Sequence, residues 1–422
     1  MSGTTRDSGF HSGAVSRRDA LRYAAFAGMG LPLSQLLPRG APEGSAQGSA
    51  PVGAARYPQP AFSLAERDRR WAAVRRIMQR AEWALDALIT INSDLSGDSA
   101  RYLTQIGGRP GRAEVVFPRD EGIPVHALVG TARDKEFWDA RLGGWVADGR
   151  LVTHAQDGSS AIAEHLRAVG LGQPGTRIGV AKLAGSRFDP EGLASATYLD
   201  NLKAALPGIL LVPIDQWGRD AGPIDDSAMH EGPEEHAAIR QAVAAGEMGI
   251  QTLIGATRAR PQVQADLWFP TFEAMFAETG EEPTRLSIAL DKPANSTLGA
   301  PVGDPFRMGQ IISQEIDATA QGYRAQVNHS LFAGDRATPG FDYYRVTMEA
   351  AVQLFFEALR FIVPGKATCG ELVDHYAATA EELGAEDRSG VVLHSSGIGN
   401  LSRPRLGPAN SRGEQDIVLA PA

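Results

Sequence analysis

The chain has 422 residues, 43% of them hydrophobic and 22% charged, which is the composition of an ordinary soluble protein and excludes a disordered chain, a collagen-like fibre and a multi-span membrane protein. Its 41 Lys and Arg residues stand against 50 Asp and Glu residues, for a net charge of -9, so we expect no nucleic-acid partner, which would need clustered cations. The one cysteine, Cys369, excludes a disulfide framework and a cysteine-rich metal site.

Residues 1–60 have the pattern of an export signal followed by a flexible linker. Arg17 and Arg18 precede an uncharged stretch at 23–37, which is shorter than the roughly 20 residues of a membrane-spanning helix. An arginine pair in this position resembles a twin-arginine signal. We therefore expect a periplasmic or secreted protein with no membrane attachment after cleavage. A disordered tail with a chance arginine pair is the alternative.

Residues 62–215 are predicted to form an α/β domain. Ser63 and Glu66 fit the capping pattern of a helix start, and the Arg-rich helix is expected to end near Glu82. The segment 85–91 alternates like a strand. Strands alternating with helices are typical of an α/β layer. Further strands are expected at 113–117, 125–129, 177–181 and 210–214, and a further helix at 161–169.

Residues 229–422 are predicted to form an α+β domain, after a linker at 218–227 that is rich in Gly, Pro and Asp. Pro233, followed by two glutamates, suits the first turn of a long helix. Strand-like runs lie at 285–290 and 310–315. Two more helices are expected at 341–363 and 369–383, the first with an apolar side formed by Met348, Val352, Phe355, Phe356 and Leu359.

Several short elements then occur in a recognisable order: 85–90 and 101–104 in the first domain, and 309–310, 322–326, 364–365 and 397–399 in the second. Together they resemble the "pita-bread" family of creatinase, prolidase, aminopeptidase P and methionine aminopeptidase. The resemblance implies an α/β N-terminal creatinase-like domain and an α+β pita-bread C-terminal domain that is incomplete at its C-terminus. Since members of this family are commonly dimers, it also implies a homodimer.

The resemblance further implies a site in which two Asp, one His and two Glu hold two divalent metal ions. Such a pair of ions activates a bridging water and polarises the scissile carbonyl. In this chain the two Asp positions hold Glu315 and Gln326, and the His position holds Ser396. The segments that carry the two Glu would fall at or beyond Ala422. We therefore expect the dinuclear site to be largely lost, with a divalent metal (Mn, Co or Zn) at reduced stoichiometry at most.

The substrate-side positions of the family also differ. Leu298 and Arg403 stand where the resemblance places two histidines. His394, two residues before Ser396, could supply an imidazole to the pocket, or could be a surface histidine at a strand end. Tyr323 and Gln326 could line the pocket as hydrogen-bonding groups; alternatively, the Gln326 amide only replaces lost metal contacts, because a buried amide must be satisfied.

Glu315 and Asp317 form a candidate acid pair. If 310–317 is a strand, both side chains point to the same face. Two close carboxylates could hold one metal ion, or share a proton with one pKa raised. A lyase branch of the family resembles this chain in having paired acids here. The alternative is a solvated or salt-bridged strand end.

These observations predict an exported, hydrolase-like protein that acts on a C–N bond of a small peptide or amide. Two alternatives stay open: a non-catalytic protein that binds such a ligand, and a lyase that uses Glu315 and Asp317. The end of the sequence leaves the sheet of the second domain without its usual closing strands. An unpaired sheet edge favours aggregation, so such an edge is normally covered. Two explanations stay open: the chain is a shortened product, or a second subunit completes the sheet.

Overall fold

The computed structural model describes residues 62–91, 98–107, 113–142, 144–146, 151–153, 157–184, 191–214, 222–363, 365–385, 393–394, 397–398, 405–406 and 414–419. The predicted export signal with Arg17 and Arg18 lies outside these ranges, as do Ser396 and Arg403. Within the ranges, no helix has the length and apolar character needed to cross a bilayer.

The N-terminal half is built on a six-stranded mixed sheet of order β4-β3-β2-β1-β5-β6. Strand β1 runs antiparallel to β2 and parallel to β5, with Leu88 between Phe117 and Gly179. The strands are β1 (Ala87–Ile89), β2 (Glu114–Pro118), β3 (His126–Val129), β4 (Leu151–Thr153), β5 (Arg177–Val180) and β6 (Leu210–Pro213). The helices are α1 (Leu64–Met78), α2 (Asp98–Thr104), α3 (Ala132–Asp139), α4 (Gly158–Ala168) and α5 (Ala196–Ala205).

The strand predicted at 85–91 is present as β1, which is shorter than predicted and buried on both faces. Leu88 packs in one apolar core, while Ala87 and Ile89 pack in a second core on the other side of the sheet. A central strand covered by helices on both sides is apolar throughout. Helix α1 is also shorter than predicted, because Ala84 adopts a positive φ of 45° and the Leu85 amide donates back to the Met78 carbonyl.

The segment predicted as a linker contains a packed helix. Residues Pro223–Ala228 form α6, and Pro223, Ile224, Ser227 and Ala228 are buried. The Tyr102 hydroxyl donates to Ser227 Oγ at 3.2 Å, which ties α6 to α2. Part of the composition that suggested a linker is instead that of a helix start: Gly222 precedes the helix, and Pro223, Asp225 and Asp226 lie in its first turn.

The C-terminal half contains an antiparallel sheet of order β10-β8-β7, with β9 paired to the second half of β8. Its strands are β7 (Arg285–Leu290), β8 (Ile311–Ala320), β9 (Tyr323–Val327) and β10 (Leu331–Phe332), and a separate pair consists of β11 (Leu393–His394) and β12 (Arg405–Leu406). The helices are α7 (Pro233–Arg258), α8 (Ala265–Thr279), a 3-10 turn (Ala294–Thr297), α9 (Phe341–Phe361) and α10 (Cys369–Glu382).

Helices α7 and α8 cover one face of this sheet. Ile288 of β7 and Ile316 of β8 pack with Leu253 and Leu267 in one apolar core. Helix α7 comes closest to the sheet at Gly246, where an added Cβ would lie 3.1 Å from the side chain of Val327 in β9. The opposite face of the sheet therefore carries the polar side chains of the alternating pattern.

A buried arginine links the two halves. Arg70 of α1 is fully buried, and its guanidinium lies 4.3 Å from the ring centroid of Phe62 and 5.8 Å from that of Tyr323 in β9. Its Nε donates to Glu66 at 2.7 Å, and its Nη2 lies 3.4 Å from a carboxylate oxygen of Glu235 in α7. Two carboxylates and a cage of aromatic rings thus hold one cation where α1, α7 and β9 meet.

Candidate functional site

Alternate side chains of β7, β8 and β9 point away from α7 and α8 and form what we call the polar face. The antiparallel register sets Ser287 opposite Glu315, and sets Arg285 and Gln326 on either side of Asp317. Glu315 and Asp317 both lie on this face, since their neighbour Ile316 packs in the core. The members of the polar face are Arg285, Ser287, Glu315, Asp317, Thr319, Arg324 and Gln326.

Both carboxylate oxygens of Glu315 are occupied by donors of this chain. Arg285 Nη1 donates to them at 3.1 and 3.0 Å, and Gln326 Nε2 donates to Oε1 at 2.9 Å. Both partners reach diagonally across the strands, the usual geometry of cross-strand pairs with long side chains. The Gln326 amide and the Arg285 guanidinium thus hold both oxygens of the Glu315 carboxylate.

Asp317 is buried and stands beside two cationic groups. Burial raises its pKa, and Arg324, whose Nη1 lies 3.8 Å from Oδ2, partly offsets that effect. The negative charge of Glu315 raises the pKa further, whereas Arg285 and His394 lower it. Asp317 thus holds its proton to higher pH than an exposed aspartate does, because burial is the largest of these effects.

His394 lies on β11, in register with Arg405 of β12. It is the one predicted catalytic residue outside the β7–β8–β9 sheet, and it has only a small effect on the pKa of Asp317. On the polar face itself, the structure brings together Glu315, Asp317 and Gln326.

Two predicted pocket residues lie elsewhere. Tyr323 points to the opposite face of β9 from Gln326, where its buried hydroxyl donates to Glu235 of α7 and burial raises its pKa well above the usual value. Leu298 follows the 3-10 turn with a positive φ of 52° and is 94% exposed. The other two predicted pocket residues, Ser396 and Arg403, lie outside the described residues.

The arginines of the polar face are the residues that the sequence reasoning missed. Arg324 follows Tyr323 in a segment singled out for its family resemblance, and Arg285 opens a predicted strand. Strand alternation could have placed Arg324 on the polar face, since it lies two positions before Gln326 in the same strand. Arg285 could be placed only by the register of β7 against β8.

The donor set of the polar face differs from that of a two-metal centre. Across the described ranges, no group of three or more His, Cys, Asp or Glu side chains is arranged to hold a metal ion. Glu315 is engaged by a guanidinium group, and a second guanidinium stands beside Asp317. Fixed positive charges and a neutral amide are poor neighbours for divalent cations, which need anionic or neutral ligands free to bind them.

Comparison with known proteins identifies the fold. No family model matches the sequence, and no curated protein matches it. Among solved structures, the Xaa-Pro dipeptidase of Bacillus anthracis aligns over 84% of this chain and 87% of its own, with 15% identity and a TM-score of 0.60. The X-Pro aminopeptidase of Thermotoga maritima aligns over 80% and 85%, with 14% identity and a TM-score of 0.59.

The same fold is found outside the peptidases. The N-terminal domain of the FACT complex subunit SPT16 from chickpea aligns over 84% of each chain, with 12% identity and a TM-score of 0.53. The structure thus has the pita-bread architecture of the Xaa-Pro peptidases, and the predicted fold class, a creatinase-like α/β half followed by an α+β half, is confirmed.

Proposed function

We propose that this chain is a relative of the Xaa-Pro peptidases that binds a small peptide or amide on the polar face and does not carry out two-metal hydrolysis. The observation that supports this most is the network in which Arg285 and Gln326 satisfy Glu315. A carboxylate whose two oxygens already accept from a guanidinium and an amide is less available to bridge metal ions, and the Gln326 amide adds no negative charge to hold them. The ligand class is taken from two enzymes that share the fold, an Xaa-Pro dipeptidase and an X-Pro aminopeptidase.

The metal content of the purified chain tests the first part of this proposal. After loading with Mn²⁺, Co²⁺ or Zn²⁺ and removal of excess ion, elemental analysis is expected to find no stoichiometric metal, and Xaa-Pro dipeptides are expected to stay uncleaved. Retention of about two ions per chain together with peptide cleavage would show that a dinuclear centre is present, and would contradict the proposal.

Ligand binding tests the second part. A panel of Xaa-Pro dipeptides and their amides is expected to raise the melting temperature in a concentration-dependent way, because a ligand that binds only the folded state stabilises it. Arg285→Ala should weaken this shift, since Arg285 belongs to the polar face and is half exposed, so that its loss is tolerated by the fold. Arg307→Ala removes an exposed arginine outside the polar face and is the matched control. Equal effects of the two changes would argue against binding at this face.

A second candidate function is a lyase or hydrolase that uses the acid pair, and the raised pKa of buried Asp317, on the same face as Glu315, favours it. In that case the chain is expected to retain about one metal ion, or none, and to turn over a substrate by proton transfer. Asp317→Asn keeps the size of the side chain and removes its proton. It should lower turnover by a factor of about 100 or more, the usual contribution of general acid–base catalysis. Unchanged turnover in this variant would remove Asp317 from the mechanism.

A further inference from the structure

Arg324 is a nearly enclosed arginine of the polar face. It lies in β9, two positions before Gln326, and its side chain is 13% exposed. Its Nε atom is buried and donates to no acceptor within the described part of the chain. Asp317 Oδ2 lies 3.8 Å from its Nη1, a distance at which the two charges attract each other without a hydrogen bond. The guanidinium is thus held in place by charge, while its Nε donor stays unused.

Two other enclosed arginines of this protein are paired directly with a carboxylate. Arg70 Nε donates to Glu66 at 2.7 Å, and Arg101 Nη2 donates to Glu281 at 2.7 Å. The side chains of Arg70 and Arg101 are 0% and 10% exposed, so they are enclosed to a similar degree. A buried polar group is normally hydrogen-bonded, since burying it without a partner costs free energy. Arg324 therefore has the arrangement of a guanidinium that receives its acceptor from outside the chain.

The two arginines of the polar face differ in the donors that they can offer a ligand. Arg285 already donates to both carboxylate oxygens of Glu315. Arg324 can present Nε and an Nη group side by side, a fork that matches two oxygens of a carboxylate or a phosphate. A neutral amide supplies one oxygen and no charge. The acceptor that best satisfies Arg324 is therefore an anion.

We propose that Arg324 binds the anionic group of the ligand on the polar face, a carboxylate or a phosphate, through Nε and one Nη atom. This inference rests on the proposed function, because it concerns the ligand of the same face, and it narrows the ligand class to acids. Arg324 is not among the positions to which the family resemblance assigns a role. Asp317 competes with the ligand for the same cation, so removal of its charge should favour binding.

Matched ligands test the proposal. The peptide Ala-Pro and its C-terminal amide differ only in the anionic group, and acetate and inorganic phosphate supply such a group alone. Calorimetric titration at pH 7 and constant ionic strength is expected to show that Ala-Pro binds the wild-type chain at least about tenfold more tightly than its amide does, because hydrogen bonds between charged groups are the strong ones. Acetate and phosphate should each raise the melting temperature relative to chloride at the same ionic strength.

Four substitutions locate the anionic group. Arg324→Gln should reduce the ratio of the two peptide affinities to about one, and Arg324→Lys should keep part of it, since lysine retains the charge but not the fork. Arg285→Ala is the matched control: it removes the other arginine of the face and should weaken both peptides equally, which leaves the ratio unchanged. Asp317→Asn should raise the affinity for Ala-Pro at least about threefold, because the competing charge is gone. The melting temperature of each ligand-free variant checks that it folds.

The outcomes separate this inference from the proposed function. Equal binding of Ala-Pro and its amide to the wild type would overturn the anion site and leave the proposed function intact. A response to acetate and phosphate that is lost in Arg324→Gln, with neither peptide bound, would support the anion site and contradict the proposed function. No response to any of the four ligands would overturn both.

Two further results would remove Arg324 from the site. An affinity ratio that survives Arg324→Gln would mean that another group binds the anion. If Arg324→Gln does not fold, the same claim is tested by the other two variants, and an unchanged affinity ratio in both Arg324→Lys and Asp317→Asn would contradict it.

Discussion

Replacing Arg70 with Met is expected to lower the free energy of unfolding by about 3–5 kcal/mol, the usual cost of removing one partner from a buried ion pair. The guanidinium is fully buried, bonds Glu66 at 2.7 Å and faces Glu235 at 3.4 Å. Methionine fills much of the same volume but carries no charge. Glu66 and Glu235, which are both buried, then lose the cation that faces them. Urea denaturation of the two proteins at pH 7 measures the difference.

A second substitution separates charge from packing. Glu235→Gln added to Arg70→Met should recover part of the lost stability, because one uncompensated carboxylate is then removed. Arg76→Met, on the exposed side of the same helix, should change the stability by no more than about 0.5 kcal/mol. If Arg70→Met and Arg76→Met have the same small effect, the buried arginine does not stabilise the contact between α1, α7 and β9.

The order of strands and helices could be predicted because it depends on local patterns. The run at 285–290 is strand β7 with the predicted bounds, and the helices predicted from 341 and 369 begin at those residues. Helix α8 was not predicted, since Pro270 lies inside it and proline normally ends a helix. Strand β8 continues beyond its predicted end to Ala320, where the hairpin with β9 begins.

The chemistry of the polar face could be predicted only in part, for a reason of geometry. Strand alternation is sufficient to put Glu315 and Asp317 on one face. The partners of these acids depend on register between strands, which sequence patterns do not specify when a loop of 20 residues separates β7 from β8. The contact of Glu315 with Arg285 spans 30 positions, and that of Arg69 with Glu235 spans 166. Such pairs decide whether an acid is a ligand or a structural anion.

Glu231 is expected to make stability depend on pH. It lies before α7, and burial together with the charge of Glu235 raises its pKa to about 7 from an ordinary value of 4.5. An acid whose folded pKa is raised holds its proton more tightly in the folded state. Its contribution to stability is therefore complete below pH 4.5 and is lost as the pH rises through about 7.

Glu231→Gln should abolish this loss. The variant is expected to match the wild type near pH 4.5 and to be more stable by about 1–3 kcal/mol at pH 8, where the wild-type chain must hold a buried charge. His236 Nε2 lies 3.5 Å from the carboxylate, so the comparison is repeated with His236→Gln to remove the imidazole from the titration. Glu247→Gln, at an exposed position of α7, is the control for loss of a negative charge. Parallel stability curves for wild type and Glu231→Gln between pH 4.5 and 8 would show that Glu231 ionises as easily in the folded as in the unfolded chain, and that the space beside α1 and α7 is open to water.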